Sequence, residues 1–118
     1  MYSPEFVDHF QNPRNVGELL PPAVVVDVEN PICGDRLRIS LRAPMGVIVE
    51  VRYKMRGCAA SIAAGSALAE WLQGKNEEDL KKFEPAVIEV ALGGLANESK
   101  HVAQLCGEGV RALAGKLA

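Results

Sequence analysis

Between Arg36 and Arg56 apolar and charged residues alternate, and this pattern constrains the fold more than any other part of the chain. Leu37, Ile39 and Leu41 fall on one side of a first strand, with Arg36, Arg38, Ser40 and Arg42 on the other. Ala43-Pro44-Met45-Gly46 supplies a turn, and Val47, Val49, Val51, Tyr53 and Met55 then alternate with Glu50, Arg52, Lys54 and Arg56 in a return strand. An antiparallel hairpin lays the start of its first strand beside the end of its second, so residues just outside those two ends share one rim. Here they are Cys33-Gly34-Asp35 and Gly57-Cys58. Two thiols and a carboxylate are therefore expected together, in the outline of a metal site. Cys106 and His101 lie in a separate amphipathic segment near the C-terminus that could close such a site from above.

A chain of 118 residues fits one domain, here 1–118, with one core. Its formal net charge of −2 lacks the basic excess that a phosphate backbone requires, so nucleic acid is not an expected partner. No run approaches the roughly 18 uncharged apolar residues of a membrane span, and Met1-Tyr2-Ser3-Pro4-Glu5 lacks the regions of a signal peptide. A cytoplasmic protein without a membrane partner is expected. Three cysteines are too few for a disulfide framework and are better read as ligands, nucleophiles or small core residues.

Around the hairpin the pattern is mostly helical. Ser3-Pro4-Glu5 combines a capping residue, a proline suited to the first helical position and an acid favoured by the helix dipole, predicting a short helix to about Gln11. Asn12-Pro13 breaks it. Val24, Val25, Val26 and Val28 predict a strand that Asn30-Pro31 ends, and Pro21-Pro22 before it forms a turn. Alanine-rich Ala59 to Gln73 predicts a closely packing helix ended by Gly74, and Asn76-Glu77-Glu78-Asp79 starts a shorter one that stops before Pro85. The segment from Val87 to Leu92 suits a helical turn or a buried strand, with helix favoured. Ser99 to Leu117 carries Val102, Leu105, Val110, Leu113 and Leu117 on a stripe that should pack on the sheet.

Glycine in Cys33-Gly34-Asp35 permits a tight path that lets thiolate and carboxylate converge on one ion. Standing alone, the segment suits equally a buried Cys33 and an Asp35 that caps a turn. Cys58 shifts the balance, because it follows Gly57 at a strand-to-helix junction where free amides and the helix dipole favour a thiolate. A thiolate is the form that binds metal or accepts sulfur.

Three motifs in this order resemble the U-type iron–sulfur cluster scaffold family, which includes the NifU N-terminal domain, IscU and SufU. They are Asp8-His9-Phe10-Gln11-Asn12-Pro13-Arg14-Asn15-Val16-Gly17, Cys33-Gly34-Asp35, and Gly57-Cys58-Ala59-Ala60-Ser61-Ile62-Ala63. Glu70-Trp71-Leu72-Gln73-Gly74-Lys75 extends the likeness, which is close over about residues 1–83 and looser beyond. The resemblance implies an α+β, SufE/NifU-like two-layer fold, with a three-stranded antiparallel sheet packed against helices. It also implies a non-enzymatic scaffold that takes sulfur from a cysteine desulfurase and iron from an iron donor. Such a protein builds a labile 2Fe–2S cluster and passes it to apo iron–sulfur acceptor proteins. Cys33, Asp35 and Cys58 fall on the family's ligand positions, with Cys33 and Cys58 as candidate sulfur acceptors and zinc as an alternative occupant. A carboxylate oxygen binds iron less tenaciously than a thiolate, so Asp35 would favour release.

The chain departs from the family pattern at two places. Where the family commonly has a histidine followed by a third ligand cysteine, this sequence reads His101-Val102. Two repairs are open: His101 is itself the remaining ligand, which its aligned position favours, or Cys106, about 6 Å further along the helix axis, reaches the site. Cys106 otherwise reads as a buried core cysteine, and His101 as a surface histidine at a helix start. His9, within the N-terminal match, reads as a satisfied surface residue rather than a ligand. The second departure is the Leu-Pro-Pro-Val-Lys stretch recognised by a dedicated Hsp70 chaperone in IscU-type members. It is replaced by Ala96-Asn97-Glu98-Ser99-Lys100, which argues against that partner. Besides the scaffold, two readings remain: a zinc-dependent sulfur acceptor that relays persulfide from a desulfurase, and a degenerate member that only binds zinc or docks on a partner.

Overall fold

The computed structural model describes residues 2–31 and 34–117. Helix α1 (Pro4–Gln11) precedes three strands, β1 (Val24–Glu29), β2 (Arg36–Arg42) and β3 (Glu50–Arg56). Four helices follow: α2 (Ala59–Leu72), α3 (Glu77–Lys81), α4 (Ala86–Ala91) and, after a 3-10 turn over Asn97–Ser99, α5 (Lys100–Leu117). The strands form an antiparallel sheet in the order β1-β2-β3, so the architecture is α+β as the sequence pattern implies.

Each start signal acts through a visible bond. Ser3 caps α1 by accepting from the Phe6 amide at 3.0 Å, and Asn76 and Asp79 cap α3 reciprocally, satisfying donors that a helix start leaves unpaired. The segment from Val87 to Leu92 falls largely in α4, resolving the ambiguity toward helix.

Leu37, Ile39, Leu41, Val51 and Tyr53 face inward against Ala63, Ala64, Ala67 and Leu68 of α2 and Val110 and Leu113 of α5, all buried. The opposite face carries the charges, with Arg38 bridging Asp27 and Glu18 and Lys54 also reaching Glu18. That face is covered only locally, where the Leu19 amide donates to the buried Ser40 hydroxyl at 2.9 Å.

The return strand is shorter than its sequence pattern. It begins at Glu50, opposite Arg42, rather than at Val47. Ile48 turns inward, its amide donating to the Lys75 carbonyl and its own carbonyl accepting from the Gly74 amide, while Val47 and Val49 stay exposed. Burying the larger isoleucine in the gap beside the end of α2 displaces the alternation, which resumes in phase at Val51.

Gly65 sets how closely α2 lies on β3. A Cβ there would come within 2.4 Å of Tyr53 Cε2, and the Tyr53 hydroxyl donates to the Ile62 carbonyl at 3.1 Å. This contact seats α2, and with it Cys58 at its start. Gly65→Ala is expected to destabilise the protein by about 1–3 kcal/mol in chemical denaturation, because displacing a packed ring outweighs the helix-propensity gain. An unchanged midpoint would contradict this packing.

Candidate metal centre

The site begins with hairpin register. Arg36 pairs with Arg56, so Asp35 and Gly57, the next residues outward, face each other across the rim. Just before Asp35 the Gly34 amide donates to the Asn30 carbonyl at 2.7 Å, with Gly34 at φ 75°. Gly57 is required for space: a Cβ there would lie 2.6 Å from Asp35 Oδ1 and 2.8 Å from Ser61 Oγ. Cys58 is the N-cap of α2, exposed, with its carbonyl accepting from the Ile62 amide.

His101, in the first turn of α5, completes the group. One ligand atom each from Asp35, Cys58 and His101 lies within 4.8 Å of the others. His101 Nδ1 lies 3.0 Å from the Glu98 carbonyl oxygen, which can only accept, so Nδ1 carries a proton and, in the neutral ring, Nε2 presents a lone pair. That nitrogen faces Asp35 Oδ2 at 3.3 Å. A lone pair opposite a carboxylate is satisfied by a cation between them, either a second imidazole proton or a metal. The separation suits the metal, since two ligands about 2.0 Å from a tetrahedral ion stand about 3.3 Å apart. Asp35 is buried while His101 remains partly open, so an ion held here would sit at the protein surface on a fixed floor.

Cys33 lies outside the described residues. Asp35, Cys58 and His101 are brought together; Cys106 is not. It is fully buried, its thiol directed at the Ala64 carbonyl at 3.9 Å, and burial pushes its pKa up to about 12. Val102, standing where the family pattern expects the third thiol, is also fully buried, and the two share one face of α5 because they are four residues apart. Ser61 was not singled out from sequence. Its Oγ lies 2.8 Å from Asp35 Oδ2 and 3.5 Å from Cys58 Sγ, and the available signal was a hydroxyl three residues beyond Cys58 in a run of alanines.

His9 is corrected from surface to interior. It is only 7% exposed, because α1 packs on α2 and the Ser66 hydroxyl gives the ring a polar partner at 2.8 Å. Ser66 Oγ accepts from the Arg14 amide and donates to His9 Nδ1, joining α1, the following loop and α2. This network belongs to the N-terminal motif and lies apart from the metal group.

An α+β chain with carboxylate, thiol and imidazole converging on one exposed rim presents a group that could hold a metal ion. The model of the NifU-like N-terminal domain matches residues 1–116, and the chain belongs to that family. It is 38% identical over 111 residues to the iron–sulfur cluster assembly scaffold protein IscU 1 of Archaeoglobus fulgidus, covering 94% of this chain and 72% of that protein. It is 35% identical over 78 residues to the zinc-dependent sulfurtransferase SufU of Bacillus subtilis, covering 66% of this chain and 52% of the relative. The crystal structure of a NifU-like N-terminal protein from Brucella abortus superposes with a TM-score of 0.64 at 21% identity, covering 98% of this chain and 81% of that one, and shares the fold.

The two cysteines described differ in accessibility, which alkylation can read. Iodoacetamide is expected to label Cys58 in the native metal-free protein and to spare Cys106 until denaturant is added, as followed by peptide mass spectrometry. Labelling of Cys106 in the folded state would contradict its placement.

Burial, reinforced by the nearby Arg14 guanidinium, lowers the pKa of His9 below its ordinary 6.5. The unfolded chain therefore takes up the proton more readily, and the stability associated with neutral His9 is complete above pH 6.5 and is lost as pH falls through the lowered folded-state value. In urea titrations of metal-free protein between about pH 7.5 and 5, His9→Gln is expected to lose this component of the pH dependence. An unchanged slope would place the His9 ring in solvent.

Proposed function

We propose that this chain is a scaffold for iron–sulfur cluster assembly, with Cys33, Asp35, Cys58 and His101 as the ligands of a labile 2Fe–2S cluster. The observation that carries the reading is the convergence of Asp35, Cys58 and His101 at one solvent-facing rim. Family membership and the scaffold relatives support it. The cluster is cargo, so exposure is an asset: a partner can approach the rim to deliver sulfur or remove the product. Mixed ligation serves the same end, because oxygen and imidazole donors hold iron less firmly than a four-thiolate site.

Sulfur uptake falls to Cys58, the exposed thiol among the described residues, with Cys33 as the second candidate acceptor. The Cys58 thiolate attacks the terminal sulfur of a donor persulfide, forming one S–S bond as the donor's S–S bond breaks and its thiolate leaves. A cysteine desulfurase, an iron donor and apo iron–sulfur proteins are the corresponding partners. Among the described residues no helix is long and apolar enough to cross a membrane.

A second reading, zinc-dependent relay of persulfide sulfur, has its own support. A single carboxylate, a single imidazole and two thiolates make a four-ligand set suited to tetrahedral zinc, and one relative is named a zinc-dependent sulfurtransferase. Anaerobic reconstitution with iron, sulfide and a desulfurase separates the two. The scaffold is expected to yield a stoichiometric visible 2Fe–2S spectrum transferable to apo-ferredoxin, and a chain that keeps zinc but never forms that spectrum would contradict it. Within the same assay His101→Ala is expected to lose the cluster and Cys106→Ala to retain it; the reverse result would move the remaining ligand to Cys106.

A further inference from the structure

We propose that Ser61 is a positioning residue of the metal site, acting through Asp35; the inference rests on the rim being a metal site. Ser61 is fully buried as the third residue of α2. A hydroxyl buried among alanines is costly unless it is hydrogen-bonded. Its partner is Asp35 Oδ2 at 2.8 Å, and because an ionised carboxylate can only accept, Ser61 is the donor. The Ser61 oxygen is then free to accept from the Cys58 thiol at 3.5 Å, so one hydroxyl touches two of the three converging groups.

Asp35 depends on this contact more than the other ligands depend on theirs. His101 is fixed by the Glu98 carbonyl, and Cys58 by its place at the start of α2. Among the described residues, Ser61 is the one side-chain hydrogen-bond donor to the Asp35 carboxylate once His101 Nε2 is a lone pair. The arrangement also accounts for Gly57, whose missing Cβ leaves the space in which the two side chains meet. Ser61 therefore holds Oδ2 toward His101 before any ion arrives. Without that hydroxyl the carboxylate rotates about its own torsions, and binding must reorder it.

Zinc affinity, measured by competition with a chromophoric chelator, tests this in the wild-type chain, Ser61→Ala, Asp35→Ala and the double variant. Alanine is the most favourable helix residue and smaller than serine, so Ser61→Ala is expected to fold, which thermal unfolding of the metal-free protein checks. Ser61→Ala is expected to weaken zinc binding by about 10–100-fold. In the Asp35→Ala background the same change is expected to have no further effect, a coupling that general loss of packing would not produce. Affinity within twofold of wild type for Ser61→Ala, or an equal loss in both backgrounds, would overturn the role of Ser61. If Asp35→Ala itself leaves zinc affinity unchanged, the metal-site reading falls with it.

Discussion

The backbone pairing of Arg36 with Arg56 is the constraint from which the site follows. Their side chains carry like charge, so the register is set by Leu37, Ile39, Leu41, Val51 and Tyr53, which must all point into the core. A one-residue slip would turn those groups to solvent and separate Asp35 from Gly57 and Cys58. Burial of apolar surface thus positions polar chemistry at the strand ends, and α2 and α5 fix Cys58 and His101 over it.

What results, among the described residues, is a rim with one buried and two accessible candidate ligand side chains. Asp35 lies beneath, held by Ser61 and made possible by the absence of a Cβ at Gly57. Cys58 and His101 remain open to approach. The inner face of α5 is closed to this chemistry: Val102 occupies the place of a further thiol, and Cys106 is sealed in the core. The proposed ligation by two thiols with oxygen and nitrogen donors fits both roles considered above, since such a set would bind iron or zinc without the tenacity of an all-thiolate site.

Most of the fold and part of the site were legible in the sequence. Period-2 alternation identified β2, and caps and breakers bounded α1, α2 and α3 closely. The start of β3 was not legible, because Val47 and Val49 continue the alternation while the competing burial of Ile48 depends on α2, which is distant in sequence. His9 was misplaced for a similar reason, its partner Ser66 lying 57 residues away. The juxtaposition of Asp35 and Cys58 followed from hairpin pairing alone. Ser61 and the Glu98 carbonyl escaped notice because they act on ligands rather than as ligands, through contacts that no local pattern encodes.

Zinc K-edge X-ray absorption on the zinc-loaded protein tests the proposed ligand set most directly. The expected spectrum contains two sulfur scatterers at about 2.3 Å and two nitrogen or oxygen scatterers at about 2.0 Å, with the outer-shell features of one imidazole. A shell of three or more sulfurs, or one with no imidazole, would contradict the assignment of Cys33, Asp35, Cys58 and His101.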